Sequence, residues 1–216
     1  MSSGFAIAIA WPETLCKQPG SWYDTPMRWI GLNKNNYYKV GHAAVVLINS
    51  SGKCHYFDFG RYHTPFQHGR VRDAETDHDL EIKTKAVVKE NEIANYSDIL
   101  TELRFNMSCH GNGTLHASHC KINFEKAYKK AKLMQKSSPI PYGPFQIDGT
   151  NCSRFVNTVI LAGKPSFLGW MLLKYPKTLS PTPIGNVMAL NNYQRIEWQG
   201  DSSFSLPEYS FLKQNN

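Results

Sequence analysis

The sequence predicts a single α+β domain, an antiparallel β-sheet with helices packed against it, one of them opening on Cys152. Three observations carry this. Residues 5–11, Phe5-Ala-Ile-Ala-Ile-Ala-Trp11, alternate small and large side chains as a strand does. Residues 40–59 hold two β-rich runs around the turn cluster Asn49-Ser-Ser-Gly52. Later segments place apolar residues at helical spacing behind capping residues. A chain of 216 residues is enough for one core of ordinary size without metal or disulfide staples, so one domain over 1–216 is expected.

In order along the chain, the first strand leads into a loop, 12–38, rich in Pro, Gly and Asn, which holds Trp22, Tyr23 and Trp29 and is long enough to wall a cleft. The runs Val40 to Ile48 and Lys53 to Phe59 then form a hairpin. Residues 60–80, crowded with Arg, His and Asp, read as an exposed loop, and 82–89 as another strand. Ser97 caps a helix carrying Ile99, Leu100 and Leu103; Asn123 caps one carrying Phe124, Ala127, Tyr128, Ala131 and Met134. A third helix begins near Asn151, buries Cys152, Phe155, Val156, Val159 and Ile160, and ends at Gly163 and Pro165. Residues 192–216 read as a packed or partly loose tail, and no internal repeat is present.

Composition narrows the class. Hydrophobic residues at 41% and aromatic residues at 12% exclude global disorder. Five cysteines, an odd number without a CxxC spacing, fit reduced thiols better than a disulfide framework. The first apolar run is too short to span a bilayer and lacks a basic flank, so it is expected to be neither signal peptide nor membrane helix; a cytoplasmic protein is the expectation. A net charge of +7 raises nucleic acid as a partner. On the basic helix 124–136, however, Tyr128 falls with the apolar residues and the lysines form a solvated face, so no nucleic acid is expected.

Cys152 is the thiol placed for chemistry. In the first turn of a helix it meets unpaired backbone N–H groups and the positive end of the helix dipole, both of which favour thiolate. A thiolate nucleophile needs a base within hydrogen-bond reach, and His42, at the head of an apolar strand after Gly41, is the candidate. If Asn49 faces Lys53 across a three-residue loop, Ala44 faces Asp58, and Asp58 projects on the His42 face, where a carboxylate orients the imidazole. A two- or four-residue loop exchanges Asp58 for His55. Each residue also has an ordinary structural reading: a core cysteine, a satisfied strand-end histidine, a hydrogen-bonded aspartate.

The motifs add a resemblance. Thr150-Asn-Cys-Ser-Arg-Phe-Val156 resembles the nucleophile motif of the NlpC-type papain-like hydrolases, and Pro141-Tyr-Gly143 the Pro-Tyr element that precedes it. In the usual NlpC-type enzymes the cysteine comes first; here Gly41-His-Ala-Ala-Val-Val46 and Tyr56-Phe-Asp-Phe-Gly60 precede it. That order is similar to the circularly permuted branch, which includes lecithin retinol acyltransferase-like proteins and PPPDE peptidases. The resemblance implies a papain-like fold and a cysteine hydrolase acting on an amide, peptide or related acyl bond, using Cys152, His42 and Asp58 without a cofactor. It also implies that Tyr142 lines the cleft or donates to the oxyanion; Gln146, six residues before Cys152, is a further candidate donor. An acyltransferase or thioesterase with the same pair, and a non-catalytic binding module, are the alternatives. The cluster Cys109, His110, His116, His119 and Cys120 includes zinc-type ligands, but without paired spacing it reads as a His- and Gly-rich loop and no metal is expected.

Overall fold

The computed structural model describes residues 3–17, 20, 24–29, 33–34, 37–38 and 40–197. Seven strands make the main sheet: β1 (Ser3–Trp11), β2 (His42–Ile48), β3 (Cys54–Gly60), β4 (His68–Arg72), β5 (Leu115–Asn123), β6 (Ile140–Pro141) and β7 (Asn191–Ile196). Their order is β6-β4-β3-β2-β1-β5-β7 and every pairing is antiparallel. Five helices cover it: α1 (Tyr96–Phe105), α2 (Phe124–Lys136), α3 (Cys152–Ala162), α4 (Phe167–Lys174) and α5 (Pro183–Met188). This is the expected α+β arrangement, an antiparallel sheet packed against the helix that opens on Cys152.

The sheet is buried on both faces, and β1 shows why. Its alanines, Ala6, Ala8 and Ala10, face a core completed by Phe155, Val156, Val159 and Ile160 of α3 and by Phe124 and Ala127 of α2. Its large residues, Phe5, Ile7, Ile9 and Trp11, face a second core with Ile99, Leu100 and Leu103 of α1. The small residues let α3 approach closely; the large ones fill the wider space on the other side. Each fully buried large residue contributes about 1.5–3 kcal/mol.

The hairpin has the expected register, with Ala44 opposite Asp58 and Ile48 opposite Cys54. Asn49 fixes its loop: the side-chain oxygen accepts from the Ser51 and Lys53 amides at 3.0 and 2.9 Å, and Gly52 adopts a left-handed φ of +80°. Asn123 and Asn151 cap α2 and α3 by accepting from the amides of Lys126 and Arg154.

Three expectations are corrected. Residues 60–80 are not all exposed loop, because His68–Arg72 pairs with β3 and buries Val71 and Arg72. Most of 82–89 is irregular; only Val88–Lys89 pairs, with Glu92–Ile93, because a carboxylate, Glu102, takes the Lys83 and Thr84 amides. The helix expected to be capped by Ser97 starts two residues earlier, at Tyr96 after Asn95, whose side chain is engaged by Val87 and Lys85 instead. The tail, expected packed or partly loose over 192–216, is packed at residues 192–196, which with Asn191 form an edge strand on β5. Trp22 and Tyr23 of the 12–38 loop lie outside the described residues.

Candidate active site

The site forms where α3 meets the head of β2. Gly41 leads into β2 in a left-handed conformation, φ +77°, and an added Cβ would sit 2.8 Å from the Trp11 carbonyl oxygen. That turn delivers His42, 6% exposed, with its ring stacked on Trp11 at 5.9 Å. Cys152, the first residue of α3 and also 6% exposed, shares a side-chain hydrogen bond with His42 and receives the backbone N–H of Ala43. The His42 ring nitrogen Nε2 faces Asp58 Oδ2 at 3.2 Å.

Cys152 packs with the helix-side core, while Asp58 stands in register with Ala44, whose side chain belongs to the opposite core. His42, at the strand's first residue, bridges the two around the end of the sheet. His55 lies elsewhere, against the Phe124 and Tyr128 rings on the helix side.

Electrostatics follow this geometry. Burial alone would lower the His42 imidazole, but the hydrogen bonds to Asp58 and Cys152 outweigh it and push it up to about 9. Burial would raise the Cys152 thiol; the His42 hydrogen bond and charge, the Ala43 amide and Ser153 hold it below the usual thiol range. Together these favour a thiolate–imidazolium pair. Asp58 is fully buried, yet His42 and Arg72 hold its carboxyl below the ordinary range. Arg72 grips it with both arms of the guanidinium, Nε to Oδ1 at 3.0 Å and Nη2 to Oδ2 at 2.6 Å, and Nη2 also donates to the Ser108 carbonyl at 3.0 Å. Tyr56 donates to Oδ2 at 3.2 Å, and the Tyr62 ring lies 3.6 Å from the Arg72 guanidinium carbon.

The neighbouring loop is tied down. Arg154 Nη1 donates to the carbonyls of Gly143, Pro144 and Gln146, and Thr150 bridges to Tyr142. Tyr142 stacks flat on Phe59 at 5.9 Å with Arg61 over its ring at 5.1 Å. Gln146 enters this network through its backbone carbonyl. A second thiol flanks the site: Cys16 donates to the Gly41 carbonyl at 3.3 Å, and burial with the nearby Cys152 charge pushes it up to about 12.

Sequence reasoning did not find Arg72, Tyr62, Trp11 or Cys16. The signal for Arg72 was its register, since it stands directly opposite Asp58 once β4 is recognised. The cysteine and histidine cluster is dispersed: Cys109 joins the α1-side core and Cys120 the α2- and α3-side core, while His110 stacks on Tyr62, His116 bonds Tyr193 and His119 packs between Phe5 and Tyr96. No group of three metal-type ligands converges among the described residues.

Comparison with known proteins gives a consistent placement. A search of curated proteins by sequence finds no match. The crystal structure of the type VI secretion system effector TseH resembles this chain with a TM-score of 0.58 and 21% identity, over 91% of this chain and 93% of that one; the likeness shows the fold, and is consistent with a papain-like one. The sequence pattern described as type VI secretion system effector TseH-like matches residues 6–166. The chain therefore belongs to the TseH-like family of type VI secretion system effectors.

Proposed function

We propose that this effector is a cysteine hydrolase that cleaves an amide or peptide bond through an acyl-enzyme, with the fold of the permuted NlpC-type papain-like branch. The observation that carries the activity is the buried convergence of Cys152, His42 and Asp58, with His42 Nε2 3.2 Å from the Asp58 carboxylate and the imidazole and thiol close enough to shift one another's acidity. The chain order His42, Asp58, Cys152 supports the permuted branch.

The thiolate of Cys152 attacks the substrate carbonyl, forming a C–S bond, while the N-terminus of α3 offers a backbone N–H to the oxyanion. His42 then gives its proton to the departing amine as the C–N bond breaks. In the second half water attacks the thioester, His42 takes the water's proton, and the C–S bond breaks to release the acid and the thiolate. Asp58 orients the ring and stabilises its charge. Tyr142 walls the cleft, its ring held by the stacked Phe59 and the Arg61 guanidinium over it.

Labelling with iodoacetamide tests this. Cys152 is expected to react first among the five thiols, and His42→Ala to slow it about tenfold or more. Equal labelling of all five, unchanged by that substitution, would sink the proposal. Cys152→Ala is expected to abolish release of free acid and amine from an amide substrate.

A further inference from the structure

Helix α4 presents an apolar surface that nothing in the described chain covers. Its sequence is Phe-Leu-Gly-Trp-Met-Leu-Leu-Lys, and only Gly169 and Leu173 are buried. Phe167 is 76% and Leu168 62% exposed, Trp170, Met171 and Leu172 are also exposed, and Leu179 beyond the helix is 95% exposed. The helix itself is anchored. Ser166 caps it through the Gly169 amide, and Asn157 of α3 donates to the Leu173 carbonyl at 3.0 Å. The exposed rings are ordered among themselves, Phe167 stacked with Trp170 at 6.4 Å and Tyr175 edge-on to Trp170 at 6.2 Å. A contiguous patch of this kind marks a contact site.

Charge indicates the kind of surface it contacts. No Asp or Glu lies between Asp148 and Glu197, whereas Lys164, Lys174 and Lys177 flank the patch. The apolar residues also spread around more than half of the helix circumference, which suits a fluid interface better than one groove. Aromatic and aliphatic side chains rimmed by lysines, in a segment that carries no carboxylate of its own and has the exposed Glu92 only beyond Ser166 at the start of the helix, are what the interface of an anionic bilayer accommodates.

We propose that α4 and the turn through Leu179 seat the protein on an anionic lipid surface, as a peripheral contact separate from the Cys152 site. The test is co-sedimentation of the full chain with phosphatidylglycerol/phosphatidylcholine vesicles and with phosphatidylcholine alone, beside light scattering of the free protein. Binding is expected to the anionic vesicles and to weaken as salt rises. The double variant Phe167→Asp/Leu168→Asp should bind at least about tenfold more weakly while melting as the wild type does, both side chains being exposed. Lys174→Glu/Lys177→Glu should weaken binding and flatten its salt dependence. Met107→Asp, 76% exposed on the α1 side of the sheet, should bind as the wild type. Absence of binding to anionic vesicles, or binding retained in the Phe167/Leu168 variant, overturns the proposal. So does a dimer that disappears in that variant without vesicle binding, since it assigns the patch to a second copy.

Discussion

Asp58 has more partners than orienting one imidazole requires. Its two oxygens receive His42, both arms of Arg72 and the Tyr56 hydroxyl, all in a fully buried place. The Asp58–Arg72 pair is thus structural as well as chemical, and the two roles separate in Asp58→Asn. Losing the carboxylate leaves Arg72 buried without its counter-charge, so a loss of about 3–5 kcal/mol is expected in denaturant unfolding. Hydrolysis should fall about a thousandfold or more in protein that remains folded. Acidity follows the same contacts. The rate of hydrolysis should rise as Cys152 ionises below the usual thiol range, hold while His42 keeps its proton, and fall as pH passes about 9. Because His42 binds its proton more tightly folded than unfolded, its contribution to stability is full below about 6.5 and lost as pH rises through about 9. Cys152, held below the usual thiol range, gives the opposite slope over the same window, so urea midpoints should stay level in the wild type, decline in Cys152→Ala, where the imidazole stands alone, and flatten again in Cys152→Ala/His42→Gln.

Between elements, the small residues of β1 and β2 set how near the thiol can come. Ala8 faces α3, and Ala8→Leu should push the helix outward, costing about 1–3 kcal/mol in unfolding and slowing alkylation of Cys152 although it touches no site residue. An unchanged labelling rate would disconnect the helix position from reactivity. What the sequence made legible is of this elemental kind. The alternation of β1 marked a strand, Asn49 and Gly52 marked a three-residue loop, and that loop placed Asp58 rather than His55 beside His42. Strand β4 was hidden because His68, Arg70 and Arg72 replace the apolar residues that reveal a strand; their partners, the Phe66 carbonyl, Asp77 and Asp58, exist only after folding. Helix α4 was hidden for the opposite reason, since a segment apolar nearly all round has no period to detect.

In the whole molecule the two cores share one sheet, so neither can melt alone without baring the back of the other. A single unfolding transition is expected, coincident by tryptophan fluorescence and by thiol exposure. Thiol counting gives the same test in discrete steps. In native protein Cys152 should react quickly and Cys16 slowly, because Cys16 is pushed up to about 12; Cys54, Cys109 and Cys120, buried and raised to about 11 or 12, should appear together only on unfolding. Their staggered appearance would show separate units. Strand β1 lies at the centre of this arrangement, paired on both edges and covered on both faces, with every residue from Gly4 to Trp11 buried. Its amide hydrogens should be the last in the protein to exchange with heavy water, and to do so only when the entire chain opens. It supplies no acid, base or nucleophile, but His42 hangs from one of its neighbours and α3 rests on its alanines, so the exchange clock of β1 measures how long the site lasts.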